Sequence, residues 1–318
     1  MTGRDLRHRI EYGLVLTIQA VARVLPDAIA RGMGALIGLS FYLGDPTHRR
    51  LTVTQLQAAF PVRSEAECRA IARATFAHFG RLLVALLRFS PLTPDQMRAR
   101  VEVEGAERVE AALSGGRGVL IVTGHFGYWE IQGLAHALVL PPISVMARPL
   151  DNPYLHRFLE RARCSTGNSV IYRQGALRRV LRALGANQAV AVLIDQHIQP
   201  ADAVTVDFFN RPAATTAALA TLALRTGAPL VPAFALPLPG GRFRLVYEHP
   251  VPLPPADSPD PVRELTQRCT DVLEMYVRRH PHLWLWMHRR WREPEGEGLG
   301  DRGMFPTAAP DETNPTDG

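Results

Sequence analysis

Short apolar runs alternate with helical segments over most of this 318-residue chain, and that alternation limits its fold more than any other feature. The runs are four to six residues long, as in buried strands, and the segments between most of them have apolar residues at helical spacing. Strands that alternate with helices favour an α/β fold, a mostly parallel sheet flanked by helices, with ligands at the carboxyl ends of the strands. The predicted strands are 101–104, 118–123, 144–147, 189–194, 229–234 and 243–247. The predicted helices of this part are 107–113, 128–138, 153–163, 175–185, 214–226 and 260–280.

The first hundred residues differ from the rest in charge. They contain 14 arginines and 7 acidic residues, a net charge of +7, although the whole chain carries only +6. A basic segment suits an anionic partner such as a membrane surface, a nucleic acid or an acidic protein. All 36 basic residues are arginine. The absence of lysine excludes a Walker-type phosphate loop, a Schiff-base enzyme and a Ser-Lys dyad.

Two apolar helical segments, 8–25 and 32–44, lie near the N-terminus. Neither reaches the roughly 18–20 uninterrupted apolar residues of a spanning helix. They favour helices that lie on a membrane surface, with ordinary core helices or a signal peptide as alternatives. A third helix is predicted over 64–90. We therefore expect a membrane-associating helical region over 1–95, an α/β region over 96–292, and a disordered tail over 293–318 that is rich in proline, glycine and acidic residues.

The strand predicted over 118–123 ends in "TGHFGYWE", which places His125 in a loop and Glu130 in the first turns of a helix. A carboxylate bonded to one imidazole nitrogen fixes the tautomer and raises the basicity of the other nitrogen. The pattern is typical of an oriented general base, although a purely structural His and Glu would give the same spacing. No metal site is expected, because no second histidine stands at a metal-ligand spacing nearby. The three cysteines are far apart, which argues against disulfides and structural zinc.

Two further features suggest chemistry. Asp195 follows the apolar run 189–194, where it could bind a substrate hydroxyl, hold an arginine or cap a turn. Aromatic and basic residues alternate near the C-terminus and favour a membrane interface, with core packing as the alternative. Stacking on single-stranded nucleic acid would need similar residues, but nothing else in the chain supports a nucleic-acid partner. The interface residues are Trp284, Trp286, Trp291, Arg289 and Arg290.

Six segments, in order along the chain, resemble those of the bacterial lipid A secondary acyltransferases, the lauroyl and myristoyl transferases of the H-x4-D/E glycerolipid acyltransferase group. The departures are Gln55 where the family often has asparagine, His197 where an acid is frequent, and Asn210 where glycine is usual. The segments are "LQAAFP" (56–61), "TGHFGYWE" (123–130), "ARPLDNP" (147–153), "IDQH" (194–197), "VDFFNRPAATT" (206–216) and "WLWMHRRWRE" (284–293).

The resemblance implies an enzyme that moves an acyl group from an acyl carrier protein thioester to a hydroxyl of a lipid A precursor, without a cofactor. His125 would be the general base, oriented by Glu130, and the start of the helix after Gly127 would stabilise the oxyanion. Arg163, which lies where the family has a functional arginine, would bind phosphate or support the oxyanion. Arg148 and Arg173 have the same chemistry, and the enzyme would lie at the cytoplasmic face of the bacterial inner membrane.

Rival functions remain open on the sequence alone. The same chemistry could serve another glycolipid, phospholipid or aminolipid acceptor, with acyl-coenzyme A or acyl carrier protein as donor. A non-catalytic lipid-binding relative and a thioester hydrolase would have similar sequences.

Overall fold

The computed structural model describes residues 3–172, 174–198 and 203–291. The predicted tail 293–318 and Arg173 lie outside these residues. Five helices form the N-terminal part of the described chain, and side-chain caps start three of them. Ser64 and Glu67 form a capping box before the fourth helix. The helices are α1 Gly3–Val24, α2 Asp27–Gly44, α3 Pro46–Ala59, α4 Glu65–Phe89 and α5 Pro94–Arg98.

The rest of the described chain is an α/β fold, as predicted. Seven of its strands form one sheet in the order β1-β9-β8-β2-β5-β3-β4, parallel except for the β8–β9 pair. The strands are β1 Val101–Glu104, β2 Val119–Thr123, β3 Ile143–Ala147, β4 Ser169–Tyr172, β5 Ala189–Leu193, β6 Ala203–Asp207, β7 Pro212–Thr216, β8 Leu230–Leu238 and β9 Arg242–Tyr247. The helices are α6 Ala106–Ser114, α7 Trp129–Val139, α8 Pro153–Cys164, α9 Ala176–Gly185, α10 Ala218–Thr226 and α11 Pro261–Arg279.

All six predicted strands are confirmed, with most ends shifted by a residue and β8 longer by four. Strand β4 and the hairpin β6–β7 were not predicted. The helix predicted over 214–226 begins only at Ala218, because residues 214–216 pair with β6. At the hairpin turn, Phe209 and Asn210 have φ angles of 57° and 56°. Asparagine tolerates this left-handed conformation. Asn210 can therefore stand where the family that the sequence resembles usually has glycine.

The two central strands explain why ligand-binding residues collect at one edge of the sheet. Every residue of β2 is buried, and β2 pairs with β5 in a continuous parallel register from Val119–Ala189 to Thr123–Leu193. Helices cover both faces, so these strands are apolar except for Thr123. The chain leaves both strands at the same carboxyl edge, and the polar residues that follow them are neighbours there.

Helices α2 and α4 cross in direct backbone contact. A Cβ atom on Gly38 would overlap the carbonyl oxygen of Phe76, and one on Gly80 would overlap that of Gly34. Glycine at these positions lets the two helices approach more closely than side chains would allow. The crossing fixes how the outer helix α2 lies on α4.

Helix α4 is the one described helix that is long and apolar enough to cross a membrane, judged by length and composition alone. Its most apolar stretch is 56% buried inside the protein, because α1, α2 and α3 pack against it. Asn152 at the start of α8 ties α1 to the α/β part, since its amide donates to the carbonyl of His8 and to Glu11, both at 2.9 Å.

We expect Gly38→Ala and Gly80→Ala to lower the free energy of unfolding by about 1–3 kcal/mol, because the added methyl group overpacks the helix crossing. Gly32→Ala, also on α2, is the matched control, since no atom lies within 4 Å of a Cβ there. It should raise stability by about 0.5–1 kcal/mol, the usual gain of alanine over glycine in a helix. Denaturant unfolding of the three variants measures the difference. Equal effects at all three positions would contradict a tight crossing.

Candidate active site

His125 and Asp195 meet because the parallel register of β2 and β5 continues beyond the strands. Thr123 pairs with Leu193, and two residues later His125 lies opposite Asp195. The ladder extends through a hydrogen bond from the Ile194 amide to the Thr123 carbonyl, 3.0 Å long. A turn at Gly124 brings the loop close to Asp195. A Cβ atom added to Gly124 would lie 3.0 Å from the Asp195 carboxylate.

The His125 imidazole is bonded to the Asp195 carboxylate. Its Nδ1 lies 2.8 Å from Oδ1, and the His125 backbone amide donates to Oδ2 over 2.7 Å. Trp284 donates from its indole Nε1 to the same Oδ2, at 2.8 Å. The side chain of His125 is 20% exposed and that of Asp195 only 2%. The pair therefore presents one imidazole edge to the site and keeps its carboxylate in the core.

The charge of Asp195 is stabilised by these donors. Burial by itself would raise the pKa of this carboxyl, but the adjacent His125 and the hydrogen bonds from His125 and Trp284 lower it to about 2. Asp195 is therefore ionised at neutral pH. An ionised carboxylate only accepts hydrogen bonds, so Nδ1 of His125 must carry the hydrogen and Nε2 must hold the lone pair of the neutral ring.

Neighbouring elements hold the loop that carries His125. The Gly127 amide donates to the Leu283 carbonyl and the Leu285 amide to the His125 carbonyl, at 2.9 and 3.1 Å. From the other side, Nε2 of His78 on α4 lies 3.1 Å from the Gly127 carbonyl. Because that oxygen only accepts, His78 donates, and burial lowers its pKa to about 3, which keeps it neutral. The position of His125 is thus fixed from three directions.

Glu130 does not contact His125 in this structure, so the prediction that it orients the imidazole is wrong. Both of its oxygens are bonded to Arg163: Nε donates to Oε2 at 2.9 Å and Nη2 donates to Oε1 at 2.5 Å. The ion pair joins α7 to α8, and its side chains are 15% and 18% exposed. Burial lowers the pKa of the Arg163 guanidinium, but Glu130 outweighs that effect and raises it.

Both oxygens of Asp195 are buried and accept hydrogen bonds from His125 and Trp284, and contact with substrate stays a prediction. Sequence reasoning placed Asp195 at a strand end but missed its pairing with His125. The signal was that each residue closely follows an apolar run, and only the strand order makes those runs neighbours. Arg148 is exposed, with Nη2 3.5 Å from Asp151, and its role in binding stays a prediction.

The C-terminal aromatic cluster is largely core, so the membrane-interface prediction is wrong for three of its residues. Trp284 and Trp286 are 1% and 0% exposed. Arg290 is 1% exposed and donates to the Ala214 carbonyl at 2.5 Å. Trp291 is partly buried and stacks on Phe208, and Arg289 is partly exposed.

Among the described residues, no three His, Cys, Asp or Glu side chains converge as metal ligands. The groups that the site does offer are the imidazole of His125, oriented by Asp195, the guanidinium of Arg163, held by Glu130, and the N-terminus of α7. This combination suits proton transfer from a hydroxyl and stabilisation of negative charge.

Comparison with known proteins identifies the family. The family model for bacterial lipid A biosynthesis acyltransferases matches residues 3–293. The chain belongs to this family. It is 30% identical over 245 residues to the lipid A biosynthesis lauroyltransferase of Escherichia coli K12, covering 76% of this chain and 78% of the relative. It is 23% identical over 290 residues to the lipid A biosynthesis myristoyltransferase of the same organism, covering 89% and 88%.

A relative named for a different acceptor also matches. The phosphatidylinositol mannoside acyltransferase of Mycolicibacterium smegmatis is 24% identical over 277 residues, covering 85% of this chain and 88% of the relative. The predicted resemblance is therefore confirmed, and the protein is an O-acyltransferase of the lipid A biosynthesis family. By name, these relatives act in lipid A biosynthesis or on phosphatidylinositol mannoside.

In this acyltransferase, we expect Asp195→Asn to lower the free energy of unfolding at pH 7 by about 1–3 kcal/mol, because an amide nitrogen replaces an oxygen that faces a buried donor. Asp195 has a lowered pKa, so its contribution is complete above its unfolded pKa near 4 and is lost as pH falls through about 2. The difference between wild type and variant should therefore shrink between pH 4 and pH 2 in denaturant unfolding.

Asp257→Asn, at an exposed carboxylate, is the matched control and should leave stability within about 0.5 kcal/mol at each pH. A difference between wild type and Asp195→Asn that stays constant down to pH 2 would show that the buried charge is not stabilised by its donors.

Proposed function

We propose that this acyltransferase moves an acyl group from an acyl carrier protein thioester to a hydroxyl of a lipid A precursor, with His125 as the general base. The His125–Asp195 pair carries the proposal, because it provides an oriented base at the carboxyl edge of the sheet in a chain of this family. Nε2 is the nitrogen that receives the proton, since Asp195 holds the hydrogen on Nδ1.

The proposed reaction includes two proton transfers, one to His125 and one from it. As the acceptor hydroxyl attacks the thioester carbonyl, His125 removes its proton, and the ionised Asp195 stabilises the imidazolium that forms. Collapse of the tetrahedral intermediate expels the thiolate of the donor, which His125 can reprotonate. His125 is then neutral again, and no acyl-enzyme is needed.

The oxyanion needs donors, and the start of α7 supplies them. The amides of Gly127 and Tyr128 are already bonded to the carbonyls of Leu283 and Ala235. Those of Trp129 and Glu130 are the first two of the helix and have no partner four residues back. They point toward the helix N-terminus, where the dipole favours negative charge. We therefore assign oxyanion stabilisation to these amides.

Arg163 has donors left for substrate. The ion pair with Glu130 uses Nε and one hydrogen of Nη2, and a guanidinium has five N–H groups in one plane. In this proposal Glu130 positions Arg163, and Arg163 binds an oxygen of the substrate or of the tetrahedral intermediate. The glutamate of the H-x4-E segment thus acts through the arginine and not through the imidazole.

The proposed location is the cytoplasmic face of the inner membrane, and the outer surface of the N-terminal helices supports contact with a membrane. Ile10 and Leu14 of α1 and Leu36 and Leu43 of α2 are 60–72% exposed. Exposed apolar side chains on paired helices suit insertion into the headgroup boundary, and the arginines of the first hundred residues suit anionic lipid. Other exposed apolar residues on these helices are Leu6, Leu16, Val21, Val24, Ile29 and Phe41.

The proposal also names an acyl donor and an acyl acceptor. Acyl carrier protein is acidic, and a chain with a net charge of +6 would attract it. Acyl-coenzyme A carries negative charge as well and is the alternative donor. Similarity to a phosphatidylinositol mannoside acyltransferase makes such a glycolipid the second candidate acceptor.

The activity is tested with purified protein, acyl carrier proteins of several chain lengths and a tetra-acylated lipid A precursor, by mass spectrometry of the product. We expect one added acyl group, and a loss of roughly 10²–10⁴-fold in kcat for His125→Ala and for Asp195→Asn, because both remove general-base catalysis. Glu130→Gln should mainly raise KM, because it loosens Arg163. Glu110→Gln, at an exposed glutamate, is the control.

A loss of kcat in Glu130→Gln as large as in His125→Ala, with Asp195→Asn fully active, would show that Glu130 and not Asp195 orients the base. No product with any donor from folded protein would refute the lipid A acceptor. The same assay with a phosphatidylinositol mannoside would then test the second candidate.

The membrane location is tested by sedimentation with anionic lipid vesicles. Leu36→Asp together with Leu43→Asp should weaken binding about tenfold or more, since a buried leucine side chain contributes about 1.5–3 kcal/mol. Val62→Asp is the control, because Val62 is 95% exposed but lies outside α1 and α2. Equal binding of all variants would place the membrane contact elsewhere.

A further inference from the structure

A cavity of about 440 Å³ lies between α2, α4 and the ends of β8 and β9, and its lining is strongly basic. Pockets of this size accommodate small ligands or lipid headgroups. Strand β8 runs parallel to its neighbour β2, so the cavity lies at the same carboxyl edge of the sheet as His125. Its arginines are Arg31, Arg81, Arg88, Arg100 and Arg242.

Three of these arginines already have carboxylate partners. Asp27, the one carboxylate among the described lining residues, is bonded to Arg88 at 2.5 Å and lies 3.8 Å from Arg100. Arg242 is paired with Glu102 outside the cavity at 2.9 Å. These ion pairs leave the cavity with an excess of positive charge.

Arg31 and Arg81 have no such partner in the described part of the chain. Nη1 of Arg31 is buried without a hydrogen-bond partner, and Arg81 forms no ion pair there. Arg31 of α2 and Arg81 of α4 both line the cavity, beside a helix crossing so close that a Cβ on Gly34 would lie 2.9 Å from the Arg81 Cα. Partly buried cations without a counter-ion cost free energy, and an anion bound in the cavity would lower that cost.

Neutral polar side chains line the cavity together with the two arginines. Tyr128 and His282 line the cavity, and burial raises the pKa of Tyr128 to about 12 and lowers that of His282. The Tyr128 hydroxyl therefore keeps its proton. An anion with several acceptor oxygens matches this set of donors, and a phosphate group has that geometry.

The cavity and the catalytic loop share residues. Tyr128 lines the cavity and lies three residues after His125, and His78 lines it while holding the Gly127 carbonyl. Strand β5, with Asp195 beyond its end, lies on the other side of β2. A group bound in the cavity would thus approach His125 from the side opposite Asp195.

We propose that this cavity binds a phosphate monoester of a lipid headgroup, held by Arg31 and Arg81, and that the acceptor lipid supplies it. The phosphate would anchor the acceptor while a hydroxyl elsewhere on its headgroup reaches His125. The identity of the lipid rests on the function proposed above, whereas binding of phosphate does not.

The first experiment needs no turnover. Thermal unfolding in inorganic phosphate is compared with chloride at equal ionic strength, for wild type, Arg31→Gln, Arg81→Gln and the control Arg73→Ala, an exposed arginine on α4. Phosphate should raise the Tm of wild type and of Arg73→Ala, and this rise should be lost in Arg31→Gln and Arg81→Gln. The same rise in all four proteins would overturn the proposal, whatever the enzyme acylates.

The second experiment identifies the source of the phosphate. The phosphorylated lipid A precursor and its dephosphorylated form are compared as acceptors by kcat/KM. Wild type should lose at least tenfold when the phosphates are removed, and Arg81→Gln should lose little further, because the two changes remove one interaction. Equal losses in both proteins would overturn the acceptor as source. Selective stabilisation of wild type by phosphatidic acid vesicles over phosphatidylcholine vesicles would then assign the site to a membrane phospholipid.

Discussion

The buried carboxylate of Asp195 is the constraint on which the rest of the site depends. A charge inside a protein core is tolerated only when donors surround it. Here the donors come from three separate positions: the backbone and ring of His125, and the indole of Trp284. The strand register, the tight turn at Gly124 and the C-terminal segment must therefore all be in place before the imidazole is oriented.

The same requirement explains why motifs far apart in sequence belong to one site. Gln55 of α3 donates to the carbonyls of Trp286 and His288, and its own carbonyl accepts from the Arg290 amide. Phe208 packs against Trp284, which is bonded to Asp195. The C-terminal aromatic cluster thus supports the site from within the core. It resembles a membrane interface in sequence because tryptophan suits both environments: its ring is apolar and its N–H needs a hydrogen-bond partner.

Two carboxylates have separate roles at the site. Asp195 fixes the base, and Glu130 fixes Arg163. Strand β5, with Asp195 beyond its end, and strand β8, which ends at the basic cavity, lie on opposite sides of β2. In the proposed enzyme, acceptor, base and oxyanion donors therefore converge on one edge of the sheet, next to helices with exposed apolar faces.

The sequence by itself determined the α/β class, the six strands and the position of His125 and Asp195 at strand ends, because burial periodicity and turn residues are local properties. It could not reveal that 118–123 and 189–194 are adjacent strands, since strand order depends on packing of the whole chain. For the same reason it assigned Glu130, five residues away, where the structure selects Asp195, seventy residues away. Burial of Trp284, Trp286 and Arg290 was likewise decided only by tertiary contacts, because aromatic and arginine side chains suit both a core and a membrane surface.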